Sequence, residues 1–269
     1  MGKKTVIAVI LAVMGIAAVG IGAYQVWKIH WQDLKAETKY VEMSYTYGDG
    51  TSSDGISQKL AALNAKNSDC IYWLTIPDTE IDYPVMYHPQ EEEYYLYRDF
   101  DKEYSPAGSL YLAENCDPVH GDNLIIYGHH MRSGAMFAHL EDYKDEEFYK
   151  KHKRIELETL QGHEDYEIIA AFTTPVYTDH DFEYYKFTTT EDPAEFDDYV
   201  RQCKEKSLYE TGKTAQYGQR LLTLSTCEYS QKNGRMVVVA VRMSKAGSVD
   251  QNINVGSEIQ GGAADGGDR

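Results

Sequence analysis

Two apolar runs set a few residues apart constrain this chain most: Arg220 to Met243 reads RLLTLSTCEYSQKNGRMVVVAVRM. The first run ends at Cys227, the polar turn EYSQKNG follows, and Arg235 opens the second. Runs of this β-branched character with a Gly-containing turn between them predict a hairpin of one sheet. The end of one strand then lies beside the start of the next, so the fold carries a thiol next to a guanidinium. That pair also has a plain structural reading. Cysteine is among the most buried residue types, and an arginine at a strand edge is ordinarily a solvated surface group.

Alternation along the first strand puts Leu222, Leu224 and Thr226 on one face and Thr223, Ser225 and Cys227 on the other. The thiol's face is polar, which suits a groove better than a core. A cation beside it favours thiolate or holds a developing oxyanion. A thiol nucleophile also needs a proton carrier, most often histidine. Of the nine histidines, His152, His163 and His180 sit among charges and read as surface. His129 and His130 instead follow the apolar segment Asn123 to Tyr127 after Gly128, and the end of a rigid buried strand is a place that positions a catalytic group. A zinc site from His129, His130 and His139 competes with that reading, but neither HExxH nor a CxxC partner is present.

The rest of the chain is read from the same kinds of signal. Short apolar runs punctuated by turn residues predict strands at Ile71 to Ile76, Ile81 to Tyr87, Gly108 to Leu112, Asn123 to Tyr127, Ile155 to Thr159 and Tyr166 to Thr174. Pro84 makes the second of these an edge or bent strand. Helical spacing appears in Gly55 to Asn67 and Met136 to Tyr149, Tyr94 to Phe100 is aromatic enough to be helical, and Asp192 with Pro193 opens an amphipathic helix through Lys204. Phe196, Tyr199, Val200 and Cys203 fall on one face of that helix, so Cys203 is a core residue. About eight short strands without βαβ alternation predict a single, mainly β domain, a mostly antiparallel barrel or sandwich.

At the N-terminus Lys3 and Lys4 precede an uncharged run from Thr5 to Ala23, and Tyr24, Trp27 and Trp31 follow. At about 1.5 Å per helical residue the run crosses most of a hydrocarbon core of roughly 30 Å. The lysines and the aromatic belt orient it with a cytoplasmic N-terminus and the bulk of the chain outside the cell. The alternative is a cleaved signal peptide ending near Gly20 to Ala23, against which the length of the run argues. The expected organisation is therefore 1–4 cytoplasmic, 5–27 transmembrane anchor, 28–54 stalk and linker, 55–245 folded domain, and 246–269 a Gly-rich tail too polar to order itself. A net charge of -17 excludes a nucleic-acid partner, since that binding draws on clustered basic residues. Four cysteines in an exported chain permit disulfides or free thiols.

The ordered set of WLTIPDTEIDYPV, YYLYRDFDKEYSPAGSLYL, YGHHM after a strand and TLSTC followed by NGRMVVVA closely resembles the sortases, and among them class B. The likeness runs from about Leu60 to Ser244. It implies an eight-stranded β-barrel with added helices, one of them inserted before the nucleophile strand. It implies cysteine transpeptidation at a C-terminal sorting signal of surface proteins, with a cell-wall precursor amine as acceptor and neither cofactor nor metal. By resemblance the nucleophile is Cys227, the histidine His129 and the arginine Arg235. Substrate contacts fall on Leu96, Tyr127, Ser225 and Glu228, and on Tyr184 where the alignment is loose. The family likeness favours an Asn-Pro or Ser-Pro type of motif over Leu-Pro. A cysteine hydrolase using water, and an anchored β-module with Cys227 in a disulfide, are the competing functions.

Overall fold

The computed structural model describes residues 2–46, 57–176 and 182–244. The expected tail and most of the linker after the stalk lie outside the described residues. Eight strands close into a barrel in the order β1-β2-β3-β4-β7-β8-β6-β5. They are β1 (Cys70–Thr75), β2 (Asp82–Met86), β3 (Leu110–Leu112), β4 (Asn123–Tyr127), β5 (Arg154–Thr159), β6 (Gly162–Pro175), β7 (Leu221–Glu228) and β8 (Gly234–Arg242). Most neighbours are antiparallel, but β2 runs parallel to β3 and β4 runs parallel to β7. The β4–β7 pair matters most for function, because it joins two segments that are remote in sequence.

The β8 run is apolar throughout because both its faces are buried. Met236, Val238 and Ala240 point into the barrel with Leu222 and Leu224 of β7. Val237, Val239 and Val241 point outward, into a second core roofed by α4 (Pro193–Lys206). α4 starts where the sequence signals it: the Asp192 side chain accepts from the Ala194 amide at 2.9 Å, and Pro193 occupies the first turn, where its missing N–H costs nothing. Phe196, Tyr199, Val200 and Cys203 form its buried face. Burial of a side chain such as Phe196 contributes roughly 2–3 kcal/mol.

Three local expectations are corrected. Tyr94 to Phe100 is a succession of turns, with Leu96 N bonded to Glu93 O at 2.9 Å and Glu93 itself at positive φ, so no helical ladder forms. Met136 to Tyr149 divides into a 3₁₀ segment, Ala138–Lys144, and the short helix α3 (Glu146–Lys151), with Asp145 as the cap between them. The polar face of β7 is not an open groove along its length: Thr223 and Ser225 are fully covered, and only Cys227 is partly exposed. Pro84 sits as its chemistry requires, since β3 pairs only from Val85 onward and leaves β2 open on that side at Asp82 to Pro84.

The first helix, α1 (Lys3–Thr46), is continuous over 44 residues, about 66 Å. Its stretch Ile10–Lys28 is long and apolar enough to cross a membrane, with a mean hydropathy of 1.8 and none of it buried in the protein. The far end of α1 is not a free stalk. Tyr40 is 1% exposed and Met43 packs on the barrel core, while Ser44 donates to Asp82 at 2.5 Å. A short second helix, α2 (Gln58–Lys66), capped by Ser57, then leads into β1.

Candidate active site

Cys227 and Arg235 are direct cross-strand partners in the β7–β8 ladder. Residues so paired project to the same face with Cβ atoms about 4.5–5.5 Å apart, which puts the guanidinium and the thiol on one face of the sheet. The Arg235 Nη1 donates to the Gly234 carbonyl at 3.0 Å, and no carboxylate pairs with the guanidinium among the described residues. Its charge is therefore available to a ligand. The cysteines separate cleanly by environment: Cys70, Cys116 and Cys203 are buried, Cys227 is partly exposed, and all four are free. Burial pushes the thiols of Cys70 and Cys116 up to about 12, so neither forms a thiolate near neutrality. The reading of Cys227 as half of a disulfide falls with this.

On its other side β7 is paired in parallel with β4, Tyr127 opposite Ser225. Two further residues along each strand lie His129 and Cys227. The strands still run together there, with Gly128 N donating to Ser225 O at 3.2 Å and Thr226 Oγ1 donating to Gly128 O at 2.8 Å. β7 is thus the middle strand of three: Arg235 of β8 pairs with Cys227 at its end, and His129 follows two residues after the last residue of β4. Gly128 is required by packing: a Cβ there would come within 2.4 Å of Leu110 Cδ2 and 2.8 Å of Phe137 Cδ2.

The two histidines part ways after Gly128. His129 turns to the 94–98 turns, where its Nε2 lies 2.8 Å from the Leu96 carbonyl and its ring 5.3 Å from that of Tyr97. A carbonyl only accepts, so Nε2 carries the proton. Desolvation by burial lowers the His129 pKa below the ordinary histidine value, against the opposing pull of that carbonyl. At neutral pH the ring is therefore uncharged, with its lone pair on Nδ1. His130 instead bonds the Cys227 carbonyl through Nδ1 at 3.1 Å and pairs with Glu141 at 3.4 Å. His139 is held by Asp142 at 2.7 Å, so the three histidines considered for zinc each have separate partners. Among the described residues no trio of His, Cys, Asp or Glu could hold a metal ion.

The remaining expected contacts divide by burial. Leu96 and Tyr127 are half-buried at the site, Tyr127 with its ring 5.6 Å from Tyr111. Ser225 and Tyr184 are buried and bonded to each other, Oγ to Oη, at 2.7 Å. The Glu228 carboxylate is buried too, bonded to Lys144 Nζ at 2.8 Å and to the amide and hydroxyl of Ser230. In this conformation these last three support the floor of the site rather than its surface. Sequence reasoning missed Tyr97 beside His129, the Glu141–Lys144–Glu228 ion chain at the turn after Cys227, and Tyr111 and Tyr229, which lie close enough to Cys227 and Arg235 to feel both. None of these has a local signal, because each acts through a contact remote in sequence. A concavity of about 430 Å³ between α4 and residues such as Glu210 and Ala215 includes none of these groups.

A sortase-domain model matches residues 74–243. The chain belongs to the sortase family. Sortase B of Listeria monocytogenes is 32% identical over 243 residues, covering 86% of this chain and 95% of that protein, and sortase B of Staphylococcus aureus is 27% identical over 241 residues, covering 88% and 95%. Among solved structures, a sortase B from B. anthracis in complex with AAEK1 aligns with a TM-score of 0.70 at 29% identity, over 80% of this chain and all of that one. A Staphylococcus aureus sortase B–substrate complex aligns at 0.64, also at 29% identity, over 70% of this chain and 86% of that one. Within the family the sortase described here is of class B, a cysteine transpeptidase built on a closed β-barrel.

The two adjacent histidines differ in their partners, and their substitutions are expected to differ in effect. His129→Ala is expected to lower single-turnover peptide cleavage by about 10²- to 10⁴-fold, the range for losing a positioned general acid–base. His130→Ala loses a hydrogen bond to the Cys227 carbonyl and a pairing with Glu141, and is expected to cost far less. The reverse order in that assay would move the proton-transfer role to His130.

Proposed function

We propose that this sortase is a single-pass membrane protein whose barrel lies outside the cell, cleaving a sorting peptide after Thr and passing the acyl group to a cell-wall amine. The observation that carries the reading is the set around the end of β7: a thiol in register with an arginine that has no carboxylate partner among the described residues, and a neutral imidazole two residues past the adjoining parallel strand. The exposed apolar stretch Ile10–Lys28, with Tyr24 tilted against Trp27 and Trp27 stacked on Trp31 at its end, supports the anchoring.

The steps follow from these groups. The Cys227 proton passes to Nδ1 of His129, and the sulfur attacks the Thr carbonyl carbon. Arg235 holds the oxygen as it gains charge. The C–N bond breaks as imidazolium returns its proton to the departing amine, leaving a thioester on Cys227. An incoming amine then attacks that thioester, His129 takes its proton, and the thiol is restored. Leu96 and Tyr127 are the contacts best placed to meet the peptide, while Tyr184, Ser225 and Glu228 hold the strand on which the thiol sits. One amide replaces another, so no external energy source enters.

The test is cleavage of an Asn-Pro or Ser-Pro type sorting peptide with triglycine present, products read by mass. An amide-linked triglycine product is expected. Products consisting only of the hydrolysed acid would make the enzyme a hydrolase.

A further inference from the structure

Two loops converge on His129, and the last turns of α1 touch one of them and reach the other through Tyr83. The Leu96 carbonyl that fixes the imidazole lies against the backbone of Gly108, where a Cβ would come within 2.3 Å of that oxygen and where φ is +59°. The Tyr40 hydroxyl sits on this corner, donating to the Gly108 carbonyl at 3.1 Å and lying 2.9 Å from Ser109 Oγ. Ser109 in turn ties the 94–98 turns together, its amide donating to Tyr95 O at 3.1 Å and its hydroxyl to Arg98 O at 2.9 Å. One residue earlier on α1, Lys39 binds Asp99 at 2.6 Å and Asp101 at 2.5 Å, just beyond those turns.

The second loop is reached through Tyr83. The Tyr40 ring stands edge-on to that of Tyr83 at 5.8 Å. The Tyr83 hydroxyl accepts from the Met136 amide at 3.2 Å, and the next amide, Phe137 N, donates to the His129 carbonyl at 3.0 Å. Met136 also forms a bridge with His130. One buried tyrosine therefore bears on the loop that fixes the imidazole and on the loop that fixes its backbone.

We propose that Tyr40, aided by Lys39, is a positioning residue for His129, so that the turn of α1 nearest the barrel helps to set the geometry of proton transfer. The role rests on His129 being the proton carrier. It makes the segment between membrane stretch and barrel a working part of the enzyme rather than a tether: displacing the helix end loosens the imidazole without touching the thiol.

The test uses the full chain in detergent micelles, with kcat and KM measured separately for a sorting peptide at a temperature where circular dichroism finds every variant folded. Tyr40→Phe keeps the ring and removes only the hydroxyl. It is expected to lower kcat about five-fold with KM little changed, the order for losing one buried hydrogen bond from a positioned group. Lys39→Met is expected to act in the same direction, and Lys39→Arg to stay near the parent. His129→Ala is run alongside. Parental kcat in both Tyr40→Phe and Lys39→Met, with His129→Ala inactive, overturns the positioning role alone. An active His129→Ala overturns the assignment of the histidine on which that role depends.

Discussion

Cys227→Ala is expected to fold like the parent and to form no acyl-enzyme. The fold should survive because Cys227 is a partly exposed residue at a strand end, and the β7–β8 ladder is held by backbone bonds and by Leu222, Leu224 and the β8 valines. The chemistry should vanish because no other thiol can substitute: Cys70, Cys116 and Cys203 are buried, and burial holds the first two up to about 12. The check is intact-protein mass after incubation with a sorting peptide, together with a thermal melt. A covalent acyl adduct on the variant would place the nucleophile elsewhere. In the parent, native alkylation should label Cys227 ahead of the three buried thiols.

Arg235→Ala is expected to lower turnover on the order of 10²- to 10³-fold, the range for losing one preorganised oxyanion donor, or about 3–4 kcal/mol of transition-state stabilisation. The guanidinium has no carboxylate partner among the described residues, and its contact to Gly234 O comes from its own chain neighbour. Its removal therefore strands no buried charge, and the melting temperature is expected to stay close to the parent's. Arg235→Lys separates the two roles an arginine can play there. A lysine keeps the charge but loses the planar fork, so weak rescue points to directed hydrogen bonding and full rescue to charge alone. Turnover within a few-fold of the parent in Arg235→Ala would remove the arginine from the mechanism.

Much of the site is legible in the amino-acid sequence. The hairpin from Arg220 to Met243 pairs as apolar run, turn, apolar run, and its register sets Cys227 against Arg235. β4 coincides with the Asn123 to Tyr127 segment, because five residues apolar on both faces have little choice but a buried strand. The Asp192–Pro193 start of α4 and the burial of Cys203 are equally local. By contrast, Tyr94 to Phe100 has helix-like composition and forms turns, since Gly108 presses its backbone onto Leu96 and Asp99 bonds the amides of Asp101 and Glu103. The expectation of an open polar face on β7 fails because Tyr184 and Tyr199 arrive from the inserted segment and bond Ser225 and Thr223.

The amino-acid order alone determined where the strands and the amphipathic helix α4 lie, that a thiol and a guanidinium share one hairpin face, and that a histidine pair follows a buried strand. Those properties are written in neighbours a few residues apart: period, capping side chains, turn residues. Only the tertiary structure decided that β4 lies parallel to β7, so that the segments carrying His129 and Cys227 leave the sheet as neighbours, that Lys144 neutralises a buried Glu228, and that Tyr40 of the first helix reaches the loops around the imidazole. Those contacts join residues about 70 to 100 positions apart. No local pattern encodes such pairings, because they exist only once the barrel has closed and each strand has its neighbours on both sides.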